Sequence, residues 1–446
     1  MHQQHKYFKF LDWELNDKKH QLLLNYEIEM VGTVTEVLTF PKYQLIDDKG
    51  HRTQINAACE LIHLMCGVSY YKSGLARSII FEHYHPTEEL RQFVEKTWKH
   101  GLAELAYENN VTLDIDLMGS GEYDFHHSEM AKSNDLHSLI SPSKEESVFS
   151  KTKSLVAIGG GKDSLVTIEE LKQKGNDITL FMVGGSKLIK EVSAFTTLPL
   201  IQVHRKIDRQ LLEYNRTGEG FNGHVPITAI NSSIGVLTAL LFDFDEVVFS
   251  NERSADFANT TNKEGDLVNH QYSKSMEFET DLSDYISSEI TQKIKYYSQQ
   301  RAFSELAILE KFSHYPQYFP VFSSCNRNFH IDGSHNKNTL WCGNCPKCRF
   351  VFLGLAPFVE KKQLLEIFDK DLLDDLSQKQ GFEELLGIKG FKPFECVGEI
   401  RESQMAFNLI KNKADWQNDT LIQAFSQNVP ELLKSEYQNI MKPSEA

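Results

Sequence analysis

Ser154-Leu155-Val156-Ala157-Ile158-Gly159-Gly160-Gly161-Lys162-Asp163-Ser164-Leu165-Val166 is an apolar run that breaks on three glycines and resumes in helical spacing. The apolar half predicts a short buried strand. GKDSLVTIEELKQKG (161–175) predicts a helix that stops at its last glycine. Successive glycines let the chain bend tightly and aim several N–H groups at one point, where the helix N-terminus adds partial positive charge. Gly159, Gly160, Gly161, Lys162, Asp163 and Ser164 are therefore the candidate phosphate cradle. A Walker A loop does not fit, because Val156 and Asp163 stand where it needs Gly and Ser or Thr. A dinucleotide fingerprint fails at Ser164.

Working outward, DITLFMVGG, LPLIQVHR and DEVVFSNE are further apolar strands, with helical segments such as PITAINSSIGVLTALLF between them. Short apolar strands alternating with helices predict an α/β fold, a doubly wound parallel sheet covered on both faces. This nucleotide-binding domain is expected over 151–320. Residues 1–150 read as an N-terminal α+β module of three strands, a helix, a further strand and an amphipathic helix capped by Thr87, followed by a polar linker from Met118 to Ser150. Residues 321–446 read as a cysteine segment and a helical C-terminal region.

The 446 residues carry 47 Lys and Arg against 62 Asp and Glu, a net charge of −15. That balance argues against a large nucleic-acid partner, which normally meets a basic face. With 25 Gly, 12 Pro and 7 Cys among 446 residues, collagen-like and disulfide-scaffold classes are excluded. The apolar run Ile234–Phe242 is far short of the ~20 residues that span a bilayer, so no membrane segment is expected. The first residues lack a signal-peptide layout, and a cytoplasmic location with reduced thiols is expected. No feature of the sequence sets an oligomeric state.

Cys342-Gly-Asn-Cys345-Pro-Lys-Cys348, with Cys325 upstream, offers four soft ligands to one ion. Four thiolates fill the shell of Zn²⁺ and predict a structural site. Cys396, His330 or His335 are alternatives for the fourth position, and an iron–sulfur cluster also suits such ligands.

The string GGGKDS resembles the S-G-G-x-D-S loop of the PP-loop ATP pyrophosphatases, with Gly159 in place of the usual Ser. A C-G-x-C-x-x-C segment downstream of such a loop resembles the zinc segment of the 7-cyano-7-deazaguanine synthases. Over nearly the whole chain, GVSYYK (67–72), IGGGKDSLV (158–166), NGHVPITAINS (222–232), VVFSNERSA (247–255), VNHQYSK (268–274), SSCNRNFH (323–330), WCGNCPKCRFVFLGLAPF (341–358) and KPFECVGE (392–399) resemble one family, the bacterial UDP-N-acetyl-α-D-muramoyl-L-alanyl-L-glutamate epimerases.

The resemblance implies inversion of the terminal L-glutamate of UDP-MurNAc-L-Ala-L-Glu in peptidoglycan precursor synthesis. ATP and Mg²⁺ would be used, an acyl-adenylate formed, and AMP and diphosphate released. A PP-loop enzyme adenylating a nucleobase, deazapurine or tRNA is the competing reading. Glu252 and Arg253 follow a strand at the edge where open α/β sheets bind ligands, and Arg253 is expected to grip a substrate carboxylate. His224 and His270, in polar segments, are the candidates for proton transfer. Tyr70, Tyr71 and Lys72 have no assigned task, and Cys396 is expected to be a packing cysteine, with an acid/base thiol as the alternative.

Overall fold

The structure, a computed structural model, describes residues 4–45, 48–118, 151–329 and 339–444. The linker expected over 118–150 lies outside the described residues from 119 onward, as do His330 and His335. Eleven strands are described: β1 (Tyr7–Asn16), β2 (Gln21–Ile28), β3 (Gly32–Thr39), β4 (Ser78–Phe81), β5 (Lys153–Ala157), β6 (Asp177–Val183), β7 (Leu200–Lys206), β8 (Glu246–Phe249), β9 (Thr260–Thr261), β10 (Leu267–Val268) and β11 (Lys295–Ser298). Nine form one sheet in the order β11-β8-β5-β6-β7-β3-β2-β1-β4, and β9 and β10 pair separately.

The five strands from β11 to β7 are parallel, as the apolar runs of β5, β6 and β8 predict, and β11 is a strand that the sequence reading missed. Their side chains divide between two cores. Leu155, Phe181 and Val247 join one core, while Val156, Leu180, Met182 and Val248 join the other. A strand's period of two assigns successive residues to opposite faces, and both faces here are buried. The antiparallel strands β1 to β3 instead alternate buried and partly buried positions, as in Leu22, Leu24, Tyr26 and Ile28 of β2. Their buried face packs on the helix Lys49–Tyr71.

The strands on either side of residue 150 share this sheet, joined where β3 runs antiparallel to β7. At that seam the Arg205 guanidinium donates to Glu36 at 2.6 and 3.1 Å and to Ser69 Oγ at 2.9 Å. A buried charge needs such full pairing to be tolerated.

The chain leaves β5 toward β6 and β7, then returns to place β8 on the other flank of β5. That reversal opens a crevice beyond the carboxyl ends of β5 and β8, where open α/β sheets take their ligands. The C-terminal helices, including Pro346–Leu355 and Ile400–Ile410, pack with Cys325, Cys345 and Cys348 into the second core.

Candidate active site

A cavity of about 330 Å³ occupies this crevice. Its floor is the glycine turn after β5: Gly159, Gly161, Asp163 and Ser164 line it. Gly160 has φ +80°, which favours glycine, and a Cβ on Gly161 would lie 2.5 Å from Ser324 Oγ. The turn is strapped by the Ser323 amide, which donates to Gly160 O at 3.1 Å. Gly161 caps the helix Lys162–Lys174 with no side-chain bond to the first-turn amides, and Ser164 Oγ donates to Gly161 O at 3.0 Å. Phe181, Met182 and Val183, at the end of β6, give the cavity an apolar wall.

Four residues lining this cavity carry a buried polar atom with no partner among the described residues: Asn231 Oδ1, Ser250 Oγ, Glu252 Oε1 and Ser324 Oγ. Buried polar atoms are normally satisfied, so four such atoms around one cavity mark a place that a polar ligand completes.

Behind the turn lies a charge cluster. Lys162 is fully buried and pairs with Asp163 and Glu305. Its ammonium therefore points inward and does not line the cavity. Lys347 reaches the other Glu305 oxygen at 3.2 Å and also bonds to the carbonyl of Cys396. Burial alone would raise the Glu305 carboxyl, but the ammonium groups of Lys162 and Lys347 hold it down at about 2. Glu252 is driven the other way, by burial and by the Glu305 charge. The cations on the cavity itself are Lys274 and Lys347. Arg301 braces this wall from outside, donating to Glu252 O at 3.0 Å and to Lys274 O at 2.7 Å.

The expected site residues separate. Glu252 lines the cavity, whereas the adjacent Arg253 starts a 3-10 turn and spends its guanidinium on the carbonyls of Asn439, Ile440 and Lys442. Arg253 is thus fixed to the C-terminal helix and does not join the group. His224 and His270 stand together, ring centroids 4.3 Å apart, with opposite tendencies. Burial, then the charges of His270, Lys274 and Lys72, push His224 down to about 3. Burial opposes charge on His270 as well, but Cys396 and Glu104 raise it to about 9. Its Nδ1 contacts the Glu104 carboxylate directly.

Cys396 is not the packing residue expected. Cys396 lines the cavity, and its Sγ lies 3.3 Å from Lys274 Nζ. Burial raises the thiol, but Lys274, His270 and Lys347 outweigh it and bring it down to about 5. Lys274, Lys347 and Cys396 all sit in segments of family resemblance, yet only folding brings them together. Glu104 and Glu305 lie in ordinary helical stretches with no local signal.

Cys325, Cys342, Cys345 and Cys348 come within 4.8 Å of one another, and all are free thiols. The Sγ atoms lie 4.0 Å apart for 325–345, 3.6 Å for 342–348 and 3.4 Å for 345–348. Metal–sulfur bonds of ~2.3 Å in a tetrahedron separate sulfurs by roughly 3.8 Å, so the donors fit a thiophilic ion. Amides of Asn344 and Cys348 donate to Cys342 and Cys345, at 3.3 and 3.4 Å, and favour thiolates there. Cys325 completes the group, while Cys396 serves the cavity. No helix of the described residues is long and apolar enough to cross a membrane.

The cavity draws on two regions that known proteins also share. A family model described as the MurL N-terminal domain matches residues 1–299, and one described as the MurL C-terminal domain matches residues 321–440. A protein of Xanthomonas oryzae pv. oryzae named UDP-N-acetyl-alpha-D-muramoyl-L-alanyl-L-glutamate epimerase is 39% identical over 95% of this chain and 89% of its own. Proteins of the same name from a Micromonospora species and from Salinispora tropica are each 36% identical over 89% of this chain, covering 84% and 82% of their own lengths. Gly159 to Ser164, Glu252 and Lys274 fall in the first matched region, and the four-cysteine group, Lys347 and Cys396 in the second. The chain belongs to the MurL family.

Proposed function

We propose that this protein epimerises the terminal glutamate of UDP-MurNAc-L-Ala-L-Glu after ATP-dependent activation of a glutamate carboxylate. The observation that carries the reading is the cavity at the glycine turn, with its four unpartnered polar atoms and two cationic side chains. The names of the relatives supply the substrate.

The chemistry explains why a nucleotide is needed. A hydrogen α to a free carboxylate is hardly acidic, because its removal piles a second negative charge on the same atoms. Conversion to an acyl-adenylate removes the first charge and makes the carbonyl an electron sink. A base then takes the proton, and a proton returned to the other face inverts the centre. Hydrolysis of the anhydride restores the acid, with AMP and diphosphate as by-products. Electrostatic stabilisation of the enolate thus joins general acid–base catalysis.

In this reading the turn from Gly159 to Ser164 binds the ATP phosphates in PP-loop fashion, and Asp163 would hold Mg²⁺, which would offset phosphate charge. Lys347 and Lys274 face the anionic groups that the −15 chain must attract locally. The test is product analysis with ATP, Mg²⁺ and UDP-MurNAc-L-Ala-L-Glu. Substrate-dependent AMP and diphosphate are expected. ADP and phosphate, or epimerisation without nucleotide, would overturn the proposal.

The four cysteines would hold one structural Zn²⁺, tying Lys347 to the cavity through the C-P-K-C turn. Anaerobically purified protein is expected to contain one zinc and no iron per chain, and Cys345→Ala to lose it. Stoichiometric iron contradicts this assignment.

A further inference from the structure

We propose that Cys396 is the base that removes the glutamate α-proton, with Glu252 returning a proton to the opposite face. This deepens the epimerase reading and rests on it.

The proposal stands on where these groups lie. Cys396 and Glu252 line the same cavity as the glycine turn, so both residues border a ligand seated there. Lys274 donates to the sulfur at 3.3 Å. The His270 imidazole, whose Nδ1 is held by Glu104, also favours the charged sulfur. Lys347 bonds to the Cys396 carbonyl and fixes the backbone that carries the thiol. Lys274 touches the sulfur and the charges of His270 and Lys347 act on it too, and a thiol in such surroundings favours the thiolate, the basic form. Glu252 has the complementary setting. It is buried, its Oε1 has no partner, and Glu305 lies close enough to disfavour a second negative charge. Burial and Glu305 thus favour the protonated carboxyl against the opposing charges of Lys274 and Lys347, and a carboxyl so placed can give a proton away.

The step balances. The thiolate takes the α-proton and becomes a thiol, and the C–H electron pair moves onto the acyl carbonyl oxygen as the enolate forms. The enolate collapses and takes the proton of Glu252 on the other face. Solvent then accepts the thiol proton and reprotonates Glu252, so the product carries a solvent-derived hydrogen.

The test compares the full-length protein with Cys396→Ala and Cys396→Ser, using UDP-MurNAc-L-Ala-L-Glu, ATP and Mg²⁺ in heavy water. Deuterium at the glutamate α-carbon is read beside substrate-dependent ATP–pyrophosphate exchange. Both variants are expected to lose about a thousandfold or more in deuterium incorporation, the scale of a general base, with pyrophosphate exchange falling less than tenfold. Deuterium incorporation within tenfold of wild type, or an equal loss of both signals, overturns the assignment. Wild type without pyrophosphate exchange overturns the activation reading, a failure told apart because it precedes any variant.

An independent readout uses wild type alone. Iodoacetamide should alkylate the Cys396 peptide at a rate nearly flat from pH 6 to 9, as a thiolate held by Lys274, Lys347 and His270 requires. A tenfold rise per pH unit through that range overturns the thiolate.

Discussion

Glu252→Gln is expected to separate exchange from inversion. An amide cannot return the proton that a carboxylic acid can, yet it fills nearly the same volume. The glutamate α-carbon should therefore still acquire deuterium from heavy water, through the thiol of Cys396, while the recovered residue remains L. Inversion should fall by about a hundredfold to ten-thousandfold, the usual worth of one positioned acid. Chiral analysis of the released glutamate beside its mass reads both quantities from one sample. Inversion at the wild-type rate would remove Glu252 from the reaction.

Lys162→Ala is expected to act through a different route from that of a phosphate-binding lysine. Its ammonium is buried between Asp163 and Glu305 and does not line the cavity. Removing one member of such a buried cluster leaves charge uncompensated, at a cost of about 3–5 kcal/mol. Lys347 would remain as the partner of Glu305, and Asp163 would lose its tether. Both a lower unfolding midpoint and loss of diphosphate release are therefore expected, the second by at least about a hundredfold, on the scale of losing one preorganised electrostatic contact. Unchanged stability would contradict the buried pairing, and unchanged diphosphate release would remove the glycine turn from the reaction.

These two residues also mark how far the sequence could be read. The glycine turn is a local object. A strand, three glycines and a helix start within thirteen residues, so its position at the sheet edge was legible. The cysteine group was legible for the same reason, because x2 spacings already place thiols close together. The alternation of apolar residues on β2 and the unbroken runs of β5 and β6 gave the two types of strand. What local pattern could not convey is direction. Glu252 and Arg253 are neighbours, yet the 3-10 turn at Arg253 sends one side chain to the cavity and the other to the carbonyls at 439–442. His224 and His270 look alike in sequence. Glu104 and Cys396, from segments more than a hundred residues away on either side, make one cationic while burial keeps the other neutral.

Cys396 shows the limit most clearly. A single cysteine among polar residues gives no spacing to interpret. Its character comes from Lys274 and Lys347, one after the two-stranded sheet and one inside the C-P-K-C turn. The cysteine group would then contribute more than stability to the C-terminal region: the turn it folds carries a cation to the cavity at the ends of β5, β6 and β8.

The most direct test of the account is a single incubation of the protein with UDP-MurNAc-L-Ala-L-Glu, ATP and Mg²⁺ in heavy water. One deuterium at the glutamate α-carbon, D configuration in the product, and AMP formed with it are expected. Product that stays L without deuterium while AMP accumulates, or D product without AMP, would contradict it.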